Sequence, residues 1–234
     1  MIDYKQFAFI FDMDGTIVDN MHFHTDAWVK FFNELGMKVE ADDFLRKTAG
    51  KTSLEIFRGI FGETVDEAKL IEYGNRKDAI YRENFLPHRK AVDGLIAFLD
   101  ESQQLGIKMA VATAAPISNM EFILDGLDLR KYFDAITTAA DVKNGKPDPE
   151  VFLVSAEKLG VIPANSIVFE DAIGGFEAAH RANMKSIGIS TVNSIENMLR
   201  LDSVVEAHAD FVNIKPQDLI LKYGNSDTPV RKVA

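Results

Sequence analysis

Phe7-Ala-Phe-Ile-Phe11, followed at once by Asp12-Met-Asp-Gly-Thr16, is the stretch on which the reading of this 234-residue chain turns. A short apolar run with a turn glycine, Gly15, just past it reads as a buried strand. That strand delivers two carboxylates, Asp12 and Asp14, at its C-terminal end. The same run is too short for the core of a signal peptide or for a membrane span, and the residues before it, Met1-Ile-Asp-Tyr-Lys-Gln6, are polar.

Outward from there the period changes. Ala27, Phe31, Phe32 and Leu35 fall at helical spacing, with Gly36 as a stop. Leu54, Phe57, Ile60 and Phe61 suggest a second helix, and Ala68, Ile71 and Tyr73 open a third that runs toward Tyr81 and Phe85. No strand is read in this stretch, and Pro87 closes it. Strands and helices then alternate. Helices are predicted at 92–105, 117–127, 149–159 (with Asp148 as N-cap and Gly160 as stop) and 173–182. Strands are predicted at 108–113, 135–138, 166–170 and 185–189, with a last edge strand at 210–213. Strands separated by helices of this length imply a parallel sheet covered on both faces.

The expected fold class is therefore α/β: a Rossmann-like parallel sheet core with helices on both faces, plus an inserted all-helical cap domain. The expected boundaries are 1–18 and 88–223 for the core, 19–87 for the cap, and 224–234 for a polar, aperiodic, flexible tail.

Composition narrows the function. Thirty-six acidic residues against 26 basic give a net charge of −10, with no cluster of Lys and Arg, which argues against nucleic-acid binding. The absence of cysteine excludes disulfides, thiolate catalysis and Cys-ligated zinc or iron–sulfur. A cytoplasmic protein without membrane contact, monomeric or weakly oligomeric, is the expectation.

In open α/β sheets ligands bind beyond the carboxyl ends of the strands. Those ends carry Asp12 and Asp14, then Thr113, then Lys146 in the loop Gly145-Lys-Pro-Asp-Pro149, then Glu170 and Asp171. Clustered carboxylates stay ionised together only when a cation joins them. Hard oxygen donors suit Mg²⁺, which commonly shares its shell with a substrate phosphate. Lys146 and Thr113 supply the positive charge and hydroxyl donor that a phosphate needs. With the metal in place, one carboxylate can attack phosphorus, and another two residues away can move the proton.

Asp12-Met-Asp-Gly-Thr16 resembles the first motif of the haloacid dehalogenase superfamily. Thr113, Lys146 in Gly-Lys-Pro-Asp-Pro, and Glu170-Asp171 are similar to its second, third and fourth, in order along four-fifths of the chain. The resemblance implies Asp12 as nucleophile and metal ligand, and Asp14 as general acid/base with its main-chain carbonyl on the metal. It implies Asp171 and Glu170 as Mg²⁺ ligands, Thr113 and Lys146 on the phosphoryl group, and the Ala114 and Asp14 amides completing the cradle. It also implies a mobile cap that closes over the site, and a small phosphorylated metabolite as substrate.

Within the superfamily the cap resembles the β-phosphoglucomutase subgroup. Asp19-Asn-Met-His-Phe-His24, followed by Trp28, carries the likeness, with Lys77 four residues before Tyr81. Two departures stand out: Pro116 takes the place of a Lys after the second motif, and Ser53 the place of an Arg three residues after Gly50. Losing two cations disfavours a bisphosphate intermediate. The expectation is hydrolysis of a small phosphomonoester of the sugar-phosphate kind, with a mutase as the alternative. A phospho-accepting receiver domain fits poorly, because receivers are half this length and have no such insert. Dehalogenation needs no acid at Asp14.

Several residues invite other readings. Gly50-Lys-Thr52 lacks the earlier glycine of a P-loop, since position 45 is Leu. Lys51 is instead placed facing the substrate from the cap. His22 and His24, two apart, face different ways on a helix, and His24 is placed near Asp14. Trp28 is read as core rather than platform. Gly174-Gly175 is read as a helix start packed on the sheet, and Asp141 and Asp148 as caps or turns. Asn20 and Asn144 are undecided.

Overall fold

A computed structural model of the protein describes residues 2–48 and 51–224. Gly50 and positions 225–234 of the expected tail lie outside the described residues. Six parallel strands form one sheet in the order β3-β2-β1-β4-β5-β6. They are β1 (Ala8–Phe11), β2 (Lys108–Ala112), β3 (Ala135–Thr137), β4 (Ser166–Glu170), β5 (Lys185–Ile189) and β6 (Val204–His208). The first strand lies at the centre, paired with β2 on one side and β4 on the other. This is the switch point of a doubly wound sheet, where a crevice opens beyond the carboxyl ends.

Side-chain alternation along β1 divides the core. Phe9 and Phe11 face one side, where Phe11 stacks on Phe169 with ring centroids 4.7 Å apart and Phe98 and Phe211 pack around them. Ala8 and Ile10 face the other, with Ala110, Ala112 and the helix α7 (Glu150–Leu159). Burial on both faces explains why the strand reads as a continuous apolar run.

Among the described residues, the first four of the five α-helices between β1 and β2 make up the insert: α1 (Met21–Glu34), α2 (Ala41–Thr48), α3 (Ser53–Phe61) and α4 (Glu67–Phe85). On α1 the residues His24, Ala27, Trp28, Phe31 and Phe32 recur at the spacing of one helical face and are buried. Trp28, Phe44 and Phe57 join them in an aromatic core. Thr52 and Glu55 form a reciprocal capping box at the start of α3, and the Asp66 side chain caps α4.

The remaining helices are α5 (Leu95–Leu105), α6 (Ile117–Leu124), α7, α8 (Ile173–Arg181), α9 (Ile195–Met198) and α10 (Pro216–Tyr223). Among the described residues, no helix is long and apolar enough to cross a membrane.

The structure corrects several expected elements. The edge strand is β6, not 210–213. There the Asp210 carboxylate accepts the Val212 amide at 2.9 Å, a local turn that competes with a ladder. The β-branched Val204 pairs with Ser186 of β5 instead, and the register skips Val205 before Ile187 pairs with Glu206. Helix α5 begins at Leu95 rather than 92, because Gly94 sits at φ +80. Its bare Cα also admits the backbone of Val212, whose N would lie 2.4 Å from an added Cβ. Helix α6 ends at Leu124 rather than 127. The cap position of α7 is Pro149, although the Asp148 carboxylate still accepts the Glu150 amide at 3.0 Å. Helix α2 was not anticipated: its few apolar residues are spread among charges.

Candidate active site

A cavity of about 480 Å³ lies between the carboxyl ends of the central strands and the inserted helices. Its wall contains Asp12, Asp14, Thr113, Ala114, Lys146, Glu170 and Asp171 from the sheet side, and His24, Lys51 and Lys77 from the helical side. All ten residues singled out from the sequence are thus brought together.

Asp12 follows β1 directly. Its amide donates to the Phe169 carbonyl of β4 at 2.9 Å, which places the side chain next to the end of that strand. Lys146, 3% exposed, sets its Nζ 2.5 Å from Asp12 Oδ1 and 2.7 Å from Glu170 Oε1. Asp12, Glu170 and Asp171 each contribute an oxygen to a group lying within 4.8 Å of one another. Glu170 is further tethered through Oε2, which accepts the amides of Asp171 at 2.8 Å and Ala172 at 2.7 Å.

The start of α8 approaches so closely that a Cβ at Gly175 would lie 1.7 Å from Glu170 Oε1. This bears out the tight packing expected there. Thr113 Oγ1 accepts the Ala115 amide at 3.0 Å, and its proton is left to donate into the cavity.

The carboxylates do not share one electrostatic state. Burial pushes Asp12 up to about 7; the Lys146 charge works against this and Glu170 adds to it. Burial, then Glu170 and Asp12, raise Asp171 well above the usual carboxylate range. Burial opposes the charge of Lys146, but Asp12 and Glu170 outweigh it and hold that pKa above the ordinary lysine value. One ammonium against three buried carboxylates leaves the group short of positive charge. Oxygen-only donors so disposed fit a hard divalent cation. The cluster can therefore bind a metal ion.

The Asp14 carboxylate stands apart from this group and faces the helical side. Asn20 Nδ2 donates to Asp14 Oδ1 and to Tyr81 Oη, each at 2.6 Å, and the Gly15 amide donates to Asn20 Oδ1 at 3.1 Å. His24 stacks on Tyr81 with centroids 3.7 Å apart, and its Nε2 lies 3.5 Å from Asp14 Oδ1. Burial pushes Asp14 up, but His24, Asn20 and Lys77 together bring its carboxyl below the usual value. Asn20, undecided from the sequence, links Asp14 to Tyr81 of α4.

Lys77 Nζ lies 2.5 Å from Asp78 Oδ1, 3.5 Å from His24 Nδ1 and 4.7 Å from the centre of the Trp28 ring. Trp28 is core, as expected, and also reaches the cavity wall. His22 instead turns onto Phe23, with ring centroids 4.0 Å apart. Ser53 and Pro116 line the cavity without contributing charge. Lys51 is exposed at its edge.

Asp141 closes a capping box with Thr138, as a cap rather than a ligand. Two cross-contacts escaped the sequence reading: Glu55 Oε1 accepts the Gly145 amide at 3.1 Å, and Arg82 donates to Asn119 Oδ1 at 2.6 Å. Neither pair has a spacing that signals it.

A family model described as haloacid dehalogenase-like hydrolase matches residues 9–189. The chain belongs to the haloacid dehalogenase-like hydrolase family. The validoxylamine A 7'-phosphate phosphatase of Streptomyces hygroscopicus subsp. limoneus is 32% identical to it over 203 residues, 84% of this chain and 92% of that protein. The phosphorylated carbohydrates phosphatase of Thermotoga maritima is 32% identical over 216 residues, 91% of this chain and 96% of that protein. Among solved structures, β-phosphoglucomutase from Clostridium difficile is similar with a TM-score of 0.80 and 29% identity, covering 95% of this chain and 97% of that one.

Proposed function

We propose that this protein is a Mg²⁺-dependent phosphatase that hydrolyses a small phosphomonoester, a sugar phosphate, through an aspartyl-phosphate on Asp12. The observation that carries this reading is the convergence of Asp12, Thr113, Lys146, Glu170 and Asp171 on one cavity from four separate strand ends. The names of the two relatives, both phosphatases, support it.

Asp12, Asp171, Glu170 and the Asp14 main-chain carbonyl would hold the ion. When bound, Mg²⁺ supplies positive charge that keeps the carboxylates ionised and offsets charge on the phosphoryl oxygens. Asp12 attacks phosphorus and the bond to the leaving oxygen breaks. Asp14 gives that oxygen a proton, then takes one from water as the water attacks phosphorus and frees Asp12. The low pKa of Asp14 suits the second role. The negative phosphoryl group beside it raises that pKa and favours the protonated form needed first. Thr113, Lys146 and the Ala114 amide hold the phosphoryl oxygens. Residues 19–87 act as the cap, bringing His24, Lys51 and Lys77 to the leaving group and excluding water.

Phosphoryl transfer of the β-phosphoglucomutase type is the second reading, favoured by His24 beside Asp14 and by the fold similarity. Against it stand Pro116 and Ser53 where two cations are missing, and a Lys77 already paired with Asp78.

Purified protein with Mg²⁺ is expected to release phosphate from p-nitrophenyl phosphate and from hexose phosphates. No release from either contradicts the proposal. With β-glucose 1-phosphate followed by NMR, glucose and free phosphate are expected; the 6-phosphate without free phosphate establishes the mutase instead.

A further inference from the structure

The buried face of α4 is built from Gly74, Lys77, Asp78, Tyr81 and Phe85, a helical stripe that should be apolar throughout. Two adjacent members are instead charged, and each is only 3% exposed. A buried ion pair is seldom better for stability than an apolar pair of the same size. The pair borders the cavity. Lys77 has several neighbours, whereas Asp78 Oδ1, buried and 2.5 Å from the Lys77 ammonium, accepts no hydrogen bond among the described residues.

The other carboxylates of the cavity are engaged. Asp12 and Glu170 are held by Lys146, Asp171 accepts from Thr16 Oγ1 at 3.4 Å, and Asp14 accepts from Asn20. Asp78 is the carboxylate on the helical wall with acceptor capacity left over.

From this we infer that Asp78 is a specificity-determining residue: it accepts hydrogen bonds from hydroxyl groups of a neutral, polyhydroxylated leaving group and repels a second phosphate. The inference rests on the phosphatase reading and deepens it. A carboxylate beside an ammonium presents an acceptor and a donor side by side, which matches neighbouring hydroxyls of a sugar or polyol. The Trp28 ring next to Lys77 offers an apolar face to the carbon skeleton. The same pair has no net charge, so it gives a second phosphate no counter-ion, and the carboxylate makes its approach unfavourable. Discrimination of this kind combines an attractive and a repulsive element. A site built to bond a hydroxyl discriminates strongly against analogues without one, because the buried acceptor is then left unpaired.

The test compares kcat/KM of the Mg²⁺-loaded wild type, Asp78→Asn and Asp78→Ala on three substrates: a hexose monophosphate, a hexose bisphosphate and p-nitrophenyl phosphate, which has no leaving-group hydroxyl. Asp78→Ala is expected to lose about 10-fold or more on the monophosphate, mainly through KM, and less than about 3-fold on the aryl ester. Asp78→Asn, which keeps shape and an acceptor, is expected to lose less on the monophosphate. Both variants are expected to gain on the bisphosphate relative to the monophosphate. Equal losses on all three substrates, or no change on any, overturn the inference and leave a structural role. Circular dichroism and thermal melts of both variants separate misfolding from selectivity, and Asp78→Asn carries the test if Asp78→Ala fails to fold. If the wild type hydrolyses none of the three, the phosphatase reading fails and this inference with it. If it hydrolyses them and the variants do not discriminate, this inference fails alone.

Discussion

Gly15 and Asp171 are packed so closely that a Cβ at position 15 would stand 2.2 Å from Asp171 Oδ2. Gly15 also holds φ at +91, a conformation other residues rarely adopt. The turn after Asp14 and the acidic end of β4 therefore depend on one missing side chain. Gly15→Ala is expected to cost roughly 1–3 kcal/mol in stability. It should also displace Asp171, so that more Mg²⁺ is needed for half-maximal phosphate release. A metal titration of activity, read beside urea denaturation, checks both; an unchanged Mg²⁺ requirement contradicts the proposed ligand role of Asp171.

Among the described residues, Lys146 is the one ammonium paired with the clustered carboxylates Asp12 and Glu170, which lie beside Asp171. Removing one partner of a buried charge network leaves the others uncompensated, at a cost of about 3–5 kcal/mol. Lys146→Ala is expected to lose that much in EDTA, to regain part of it with Mg²⁺, and to lose nearly all turnover. Urea midpoints in the two buffers measure it. Equal destabilisation with and without Mg²⁺ argues that the ion does not enter this cluster.

Asp12 in the metal-free fold holds its proton up to about pH 7, whereas the unfolded chain releases it near 3.8. Between those values the native state binds more protons than the unfolded one, so this group makes stability fall as pH rises. Its contribution is fully present below 3.8 and gone above about 7. Asp171 acts in the same direction. In EDTA, the stability of the wild type relative to Asp12→Asn is therefore expected to decline across that window. A relative stability that rises with pH contradicts the raised pKa.

Asn20 donates to Asp14 at 2.6 Å and helps hold its carboxyl down. Asn20→Ala is expected to move the acid limb of the kcat profile to higher pH, by about one unit if the lost bond is typical of one to a charged acceptor. An unmoved limb with lowered kcat would mean that Asn20 serves the fold rather than the proton transfer.

The parts of this molecule that the sequence announces are those where local chemistry and tertiary environment agree. β1 reads as a buried strand because both of its faces are covered, and its abrupt change to Asp12-Met-Asp-Gly marks the edge where burial stops. The same holds for Thr113, Lys146 and Glu170-Asp171, each placed by a strand or by the loop after one. The edge strand lies at Val204–His208 rather than 210–213 because Phe211 carries a core aromatic on a turn, so an apolar residue there signals burial without pairing. Asn20 and Glu55 are illegible for another reason. Their partners lie on other elements, and no periodicity encodes how α3 and α4 meet the strand ends.

The central claim is that Asp12 carries the phosphoryl group during turnover. Mixing the Mg²⁺-loaded protein with a hexose phosphate, quenching in acid within one turnover and weighing its peptides tests this most directly. The peptide containing Asp12 is predicted to gain the mass of one phosphoryl group, with no gain in Asp12→Asn. Phosphate release at full rate with every peptide unmodified, or with the label on another residue, would contradict the account.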